Sequence, residues 1–404
     1  MNIVIAGFGV AGATAAETAR RLAPKAYITI FSQEKSLFYY RPRLPEVVSG
    51  ALNPDEVFVR PKSWYDEQRL ELRLGEKLVD LDPSARIIRG STGSRQTYDR
   101  LLLAVGAEAN RPSLPGDRLE NVFAVRSLND AWSLALAAKG KKRAVVIGGG
   151  LLGLETGAAL ARRGLEITVL EMGDRVLPRQ TTPRGAALLR RKLGAAGLNF
   201  ELQAQAARLE GFQKVENVVL KDDRVMEADL VIVSAGVNPN LTLAKALGLT
   251  TDRAIVVDEY LETSLPGLYA AGDCAQFPGA AGGLWTTARA QGLTAGANLA
   301  ADTPAERQKF VPAPPSNTLK AAGVDLTAAG DLDPEERLHG IEAENDEAYR
   351  KVVLDGEGRL VGFTNVGSGR GNQELARALA ERAVLSDQAR AGLAEIDFDF
   401  NSLQ

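Results

Sequence analysis

The sequence predicts an α/β chain made of two doubly wound parallel-sheet units followed by a smaller α+β unit. Three observations carry that reading. A strand, a glycine turn, a helix and a second strand occupy residues 2–31. The same succession returns at residues 143–171, about 140 residues later. A linker with three prolines in five residues, Val311 to Pro315, then separates a segment of different pattern and charge.

The elements follow in chain order. Asn2 to Ala6 is a short apolar run rich in β-branched residues, which suits a strand buried on both faces. Gly7-Phe8-Gly9-Val10-Ala11-Gly12 turns the chain into a helical stretch from Ala13 to Leu22, and Tyr27 to Phe31 is the next strand. Leu101 to Val105 is a further buried strand, followed by a Pro-rich crossing from Arg111 to Pro115. In the second unit Arg143 to Ile147 is the strand, Gly148 to Gly153 the turn, Leu154 to Arg163 the helix and Glu166 to Leu170 the second strand. Leu230 to Val233 adds a strand ending at Ala235-Gly236. Leu268 to Asp273 reads as a strand followed by a helix-start signal, and Trp285 to Leu299 is helical. Beyond the linker, strands are expected within Asn317–Leu332 and Tyr349–Phe363, with a hairpin at Asp355-Gly356-Glu357-Gly358, and a helix over Asn372–Val384. The boundaries are residues 1–110 and 237–305 for the two parts of the first domain, 111–236 for the second, and 306–404 for the α+β domain.

Composition narrows the function. There is one cysteine, Cys274, and one histidine, His339, so intrachain disulfides and Cys/His metal clusters are excluded. No metal site and no catalytic acid, base or nucleophile is expected. The net charge of −3 argues against a nucleic-acid surface. No apolar stretch is long enough to span a membrane, and the small-residue start lacks the basic flank of a signal peptide, so the expected place is the cytoplasm. Charge is uneven: residues 301–404 hold 19 acids and 11 bases, whereas the rest of the chain leans basic.

Each G-x-G-x-x-G turn, preceded by a strand and followed by a helix, fits a nucleotide pyrophosphate. The first glycine allows the turn, the second lets the phosphates approach the backbone, and the third lets helix pack on strand. These are the marks of a dinucleotide-binding, Rossmann-like domain. The assigned residues are Gly7, Gly9 and Gly12 in the first turn and Gly148, Gly150, Leu152 and Gly153 in the second. An acid after the second strand takes the ribose hydroxyls and repels a 2′-phosphate. Glu171 fills that place, which favours NADH over NADPH, although Arg175 stands nearby. In the first unit the aligned residue is Ser32. Glu34, two residues on, either reaches the ribose or is a solvated charge.

The segment Thr263-Ser264-Leu265-Pro266-Gly267-Leu268-Tyr269-Ala270-Ala271-Gly272-Asp273 resembles the T-x-x-P-x-hydrophobic-aromatic-A-x-G-D motif of FAD-dependent pyridine nucleotide reductases. Leu101 to Ala107 (LLLAVGA) is similar to a second motif of that family. The resemblance runs over about residues 1–300. It implies FAD in the first domain and NADH in the second, with Asp273 on the flavin's ribityl chain. The resemblance further implies FAD contacts at Arg41, Pro42, Val79, Ala104, Gly106, Arg126, Trp285 and Thr286, with Trp285 equally readable as plain core. It also implies a nicotinamide site lined by Glu155 and Gly236, where Glu155 is otherwise an ordinary first-turn helix acid. The family's cysteine pair and His-Glu dyad are missing, and Cys274 reads as packing, so thiol chemistry is not expected. Tyr40-Arg41-Pro42-Arg43-Leu44 looks like the Y-x-R-P-x-L stretch of NADH:rubredoxin oxidoreductases and of the N-terminal part of nitrite reductases. Glu46 stands where oxygenase-type ferredoxin reductases have Lys.

The resemblance implies hydride transfer from NADH to flavin, then single-electron transfer to a small redox carrier, rubredoxin or ferredoxin-like, or to oxygen. Docking is expected on the basic side, around Arg41, Arg43, Arg60 and Lys62, and not on the acidic run Asp331 to Glu347. Alternatives are an electron-input component of a nitrite reductase-type system, an NADH oxidase, and a non-enzymatic FAD-binding protein that senses NADH.

Overall fold

The computed structural model describes residues 1–333 and 335–403. The chain divides into two compact units. The first comprises Met1–Arg43, Pro54–Glu108 and Val237–Ala313, and the second Leu44–Asn53, Ala109–Gly236 and Pro314–Gln404. The short excursion Leu44–Asn53 goes with the second unit, and the C-terminal segment shares that unit with the second glycine turn.

The first unit is built on a five-stranded parallel sheet. Its strand order is Leu268–Ala270, Arg100–Leu103, Asn2–Ala6, Tyr27–Ser32, Leu70–Leu74. Ile3, Ile5, Ile28, Ile30, Leu101 and Leu102 are all buried in it, as expected for strands covered on both faces. The helices Val10–Leu22 and Trp285–Ala300 pack on each other and on this sheet. A small antiparallel sheet, Leu78–Asp82, Ile87–Gly90 and Arg95–Thr97, completes the unit.

In the second unit the parallel sheet runs Leu198–Leu202, Glu166–Glu171, Arg143–Ile147, Leu230–Val233, Val122–Phe123. The C-terminal part is a five-stranded antiparallel sheet in the order Ser316–Ala321, Val324–Gly330, Leu360–Val366, Tyr349–Leu354, His339–Glu344. Side chains alternate across it. Tyr349, Thr364 and Val366 face the helix Pro183–Ala195 and the turn before it: Tyr349 takes the Thr182 hydroxyl at 2.7 Å, and Thr364 donates to the Gln180 carbonyl at 2.9 Å. On the opposite face Val352, Leu354 and Phe363 join Leu375, Leu379, Leu393, Phe400 and Leu403 in one core. There Arg350, almost wholly buried, donates to the Leu393 and Glu395 carbonyls at 2.8 and 2.6 Å and lies over the Phe400 ring.

The architecture is the α/β class with an α+β C-terminal part that the sequence predicts, with local differences. The first helices begin at Val10 and Leu151, not at Ala13 and Leu154, because Gly9 and Gly150 are themselves the N-cap residues. Gly272-Asp273 opens only a three-residue 3-10 turn, Gly272–Cys274, and the helix waits until Trp285. The helix from Asn372 stops at Ala380, short of Val384, as the chain turns through Arg382 at a φ of 52°. The strand His339–Glu344 and the helices Leu44–Ser49, Leu128–Ala137 and Pro183–Ala195 carry no signal in the reading above.

Candidate functional site: two glycine cradles

Both turns follow one design. Gly7 and Gly148 have φ of 114° and 111°, a region that disfavours any side chain, and their N–H groups donate to Phe31 O at 2.7 Å and Leu170 O at 2.8 Å. A Cβ on Gly12 would sit 2.0 Å from Gly7 O, and one on Gly153 would sit 2.3 Å from Gly148 O. These third glycines are therefore required for helix to meet turn. A Cβ on Gly9 or Gly150 would meet nothing within 4 Å. The second glycines face open space, where phosphates can reach the backbone. Neither helix has a side-chain cap, so its first-turn N–H groups and positive dipole end are left for an anion. The residues fit two dinucleotide pyrophosphates, and the fit comes from the shape of the cradles themselves.

In the first unit Ala104 is buried against Gly7, whose added Cβ would strike the Ala104 carbonyl at 2.0 Å. Gly106 turns beyond it at φ 66°, with no atom within 4 Å of an added Cβ. Both oxygens of Glu34 are engaged: Oε2 accepts from the Tyr39 hydroxyl at 2.8 Å and Oε1 from Arg41 at 3.0 Å. Glu34 is thus part of a network that orients Arg41, whose guanidinium also lies 5.0 Å from the Tyr39 ring centroid. Pro42 follows in a 3-10 turn, Arg41–Arg43. Asp273 lines a cleft with Gly272, Leu284, Thr287 and Gln291, and Gln291 Oε1 fixes the turn by accepting from Gly272 N at 2.7 Å. Thr286 is exposed in the first turn of the uncapped helix Trp285–Ala300. Trp285 is stacked on Phe38 at 5.9 Å and meets Tyr40 edge-on at 4.8 Å. Val79 lies on the strand Leu78–Asp82 with nearly half its surface exposed.

In the second unit Glu171 is held at the end of its strand by two backbone donors, Gly149 N at 2.9 Å and Gly173 N at 2.7 Å. Leu152 is in the first turn of the helix after the cradle, and Gly236 turns at φ 86° with open space around it. Glu155 is the fifth residue of that helix, beyond its first turn. Burial pushes its carboxyl up to about 7, and the bond it accepts from Lys320 N at 3.3 Å offsets this only in part. Arg126 precedes the helix Leu128–Ala137, its N–H bonded to Asp130 at 3.1 Å beside the Ser127 capping box. Glu46 is half-buried in the first turn of the helix Leu44–Ser49.

Cys274 is fully buried, with its Sγ 3.3 Å from Leu103 O and 3.4 Å from Ala271 O, and burial pushes the thiol up to about 11. A thiolate nucleophile does not form there near neutral pH.

The expected docking bases have uses within their own unit. Lys62 pairs with Asp66, Arg41 pairs with Glu34, and Arg60 lies over the Trp64 ring at 5.4 Å. In the acidic run, of which Pro334 lies outside the described residues, Glu342 and Glu344 face Arg184 at 3.6 Å. Asp346 faces Arg191 at 3.8 Å, and Glu347 pairs with Lys192. Much of that acidity binds the antiparallel sheet to the helix Pro183–Ala195. Sequence reasoning missed Tyr39, Gln291, Gly149, Gly173 and the Lys320 N–H. Two of these act through backbone N–H groups at glycines and one through the backbone of an exposed lysine; Gly149 stands at a variable position of the second turn, and Tyr39 fills the first position of the Y-x-R-P-x-L stretch.

Residues 1–292 match the family model described as pyridine nucleotide-disulphide oxidoreductase, and residues 315–383 match the rubredoxin NAD+ reductase C-terminal domain. The chain belongs to the pyridine nucleotide-disulphide oxidoreductase family. The two matches together place it in the rubredoxin reductase-like branch of that family. It is 30% identical over 388 residues, 95% of its length, to the assimilatory nitrate reductase electron transfer subunit of Bacillus subtilis (strain 168), and covers 50% of that protein. Its match to a nitrite reductase [NAD(P)H] of the same organism covers 49% of that protein, so the chain spans about half the length of these curated relatives. It is 30% identical to the NADH-rubredoxin oxidoreductase of Clostridium acetobutylicum over 82% of each chain. Among solved structures, that of NADH:rubredoxin oxidoreductase from C. acetobutylicum superposes with a TM-score of 0.79 at 26% identity, covering 100% of this chain and 99% of that one. A putidaredoxin reductase–putidaredoxin complex gives 0.90 at 25% identity, covering 100% and 97%. Among the described residues no helix is long and apolar enough to cross a membrane.

Proposed function

We propose that the protein takes electrons from NADH and passes them through FAD to a small one-electron carrier of the rubredoxin type, without a redox-active disulfide. The observation that carries the reading is the pair of like-built cradles in a chain whose single cysteine is buried and protonated. Bound FAD would supply the chemistry, accepting two electrons together as hydride and releasing them singly.

The chain's own residues bind and orient. The uncapped helix ends after Gly9 and Gly150 hold the two pyrophosphates. Glu171, fixed by two N–H groups, accepts the ribose hydroxyls of the nicotinamide nucleotide and sets a negative charge where a 2′-phosphate would lie, which favours NADH. Glu34 and Tyr39 hold Arg41, which would meet the flavin nucleotide, and Asp273 in its cleft would take the ribityl hydroxyls. The uncapped helix beginning at Trp285 would offer its positive end to a bound flavin, and Arg126 would add a second positive charge. Glu155, its carboxyl pushed up to about 7 by burial, would be partly protonated near neutral pH at the nicotinamide site.

Support for a small carrier comes from the match to the rubredoxin NAD+ reductase C-terminal domain and from relatives named as rubredoxin reductases. The Bacillus relatives favour a second reading, in which the same electron transfer feeds a nitrite reductase-type system. A relative named NADH oxidase, from Methanocaldococcus jannaschii, makes oxygen the third acceptor to test. Stopped-flow mixing of the NADH-reduced protein with oxidised rubredoxin, ferredoxin and oxygen ranks them. Rubredoxin is expected to reoxidise the protein fastest, and oxygen outpacing both carriers would overturn the proposal.

A further inference from the structure

The turn after Glu171 holds a cation that the ribose reading does not use. Asp174 binds Arg175 through both carboxylate oxygens, at 2.9 and 3.1 Å to one terminal nitrogen. The Arg175 Nε is buried without a hydrogen-bond partner. The Arg175 side chain is only 26% exposed and Asp174 is 64% exposed, so the cation is held against the turn while its partner stands in solvent. Glu171, four residues back, is locked by the N–H groups of Gly149 and Gly173. An added Cβ on Gly149 would come within 3.0 Å of Glu171 Oε2, so this carboxylate packs directly against the turn.

We propose that Arg175 is a 2′-phosphate anchor kept neutralised by Asp174, so that selectivity between NADH and NADPH is set by two carboxylates acting against one guanidinium rather than by Glu171 alone. The inference rests on the reading that this turn receives the adenosine ribose. A 2′-phosphate brought here meets a fixed Glu171 charge and an arginine whose charge is already matched. Removing the Asp174 charge leaves one carboxylate facing one free guanidinium, whose planar fork suits a phosphate.

The test is calorimetric binding to the FAD-loaded full chain, with adenosine 5′-phosphate and adenosine 2′,5′-bisphosphate as probes. Asp174→Asn is expected to tighten the bisphosphate about three- to fivefold, the size of one freed surface ion pair, and to leave the monophosphate within about twofold. Arg175→Ala added to Asp174→Asn should erase the gain. Thermal melting of each variant checks that the turn is intact. No gain in a folded Asp174→Asn variant, or a gain that survives loss of Arg175, overturns the proposal. If the unaltered protein binds neither probe, the ribose reading itself falls and takes this inference with it, a result distinct from the other two.

Discussion

Alanine at Gly150 and alanine at Gly153 should both weaken nicotinamide nucleotide binding, but for opposite reasons, and stability separates them. Gly150 has φ −79° and ψ 174°, which any residue adopts, and an added Cβ touches nothing within 4 Å. Two small effects act on the fold. Alanine is a poorer N-cap than glycine, and it restricts the unfolded chain; they oppose each other, so the net change stays within about 1 kcal/mol. The methyl group instead stands where the pyrophosphate meets the helix end. Losing one charge-assisted hydrogen bond of roughly 1.5–3 kcal/mol weakens binding by about ten- to a hundredfold. At Gly153 the new Cβ would lie 2.3 Å from Gly148 O, so the helix must move off the turn. Forced overpacking of that kind costs about 1–3 kcal/mol or more. Calorimetric titration with NAD+, paired with thermal unfolding, reads both quantities. Nucleotide affinity unchanged in Gly150→Ala would refute the assignment of this turn as a phosphate cradle.

Three further outcomes are expected. The raised carboxyl of Glu155 gives the folded protein a stability contribution that is complete below about pH 4.5 and lost as pH rises through about 7. Glu155→Gln lacks that loss, so its advantage over the unaltered protein should grow by about 1–3 kcal/mol between pH 5 and 8.5, and parallel urea-unfolding profiles would contradict it. Cys274→Ala should keep NADH-linked electron transfer within about twofold, and a thiol reagent should react only after unfolding; rapid labelling of the native protein would show the thiol has a role. Arg350→Met leaves the Leu393 and Glu395 carbonyls without their donor, at a cost of about 2–4 kcal/mol, and should speed hydrogen exchange over residues 387–403 while leaving the glycine turns protected.

What the sequence revealed follows from which interactions are local. The strands Asn2–Ala6 and Arg143–Ile147 announce themselves because, after the polar first residue of each, every position is apolar and both faces are largely buried. The turns are legible because their three glycines recur at one fixed spacing within six residues, between a strand and a helix. Glu171 is legible because its distance from the turn is set by one helix and one strand. The networks around these residues are not. That Tyr39 and Arg41 converge on Glu34 depends on how residues 34–41 fold back, and no periodicity encodes that. The contact from Lys320 N to Glu155 joins residues 165 positions apart through a backbone group, which leaves no mark on composition. Bases at Arg41 and Lys62 look like a docking face in one dimension, yet in three dimensions each already has a carboxylate beside it.

The most direct test is the visible spectrum of the FAD-loaded protein, titrated without air first with NADH and then with oxidised rubredoxin. Loss of the yellow flavin colour at one equivalent of NADH, and its return as rubredoxin is reduced, is the predicted result. A protein that takes up no FAD, or whose bound flavin stays yellow under excess NADH, would contradict the account.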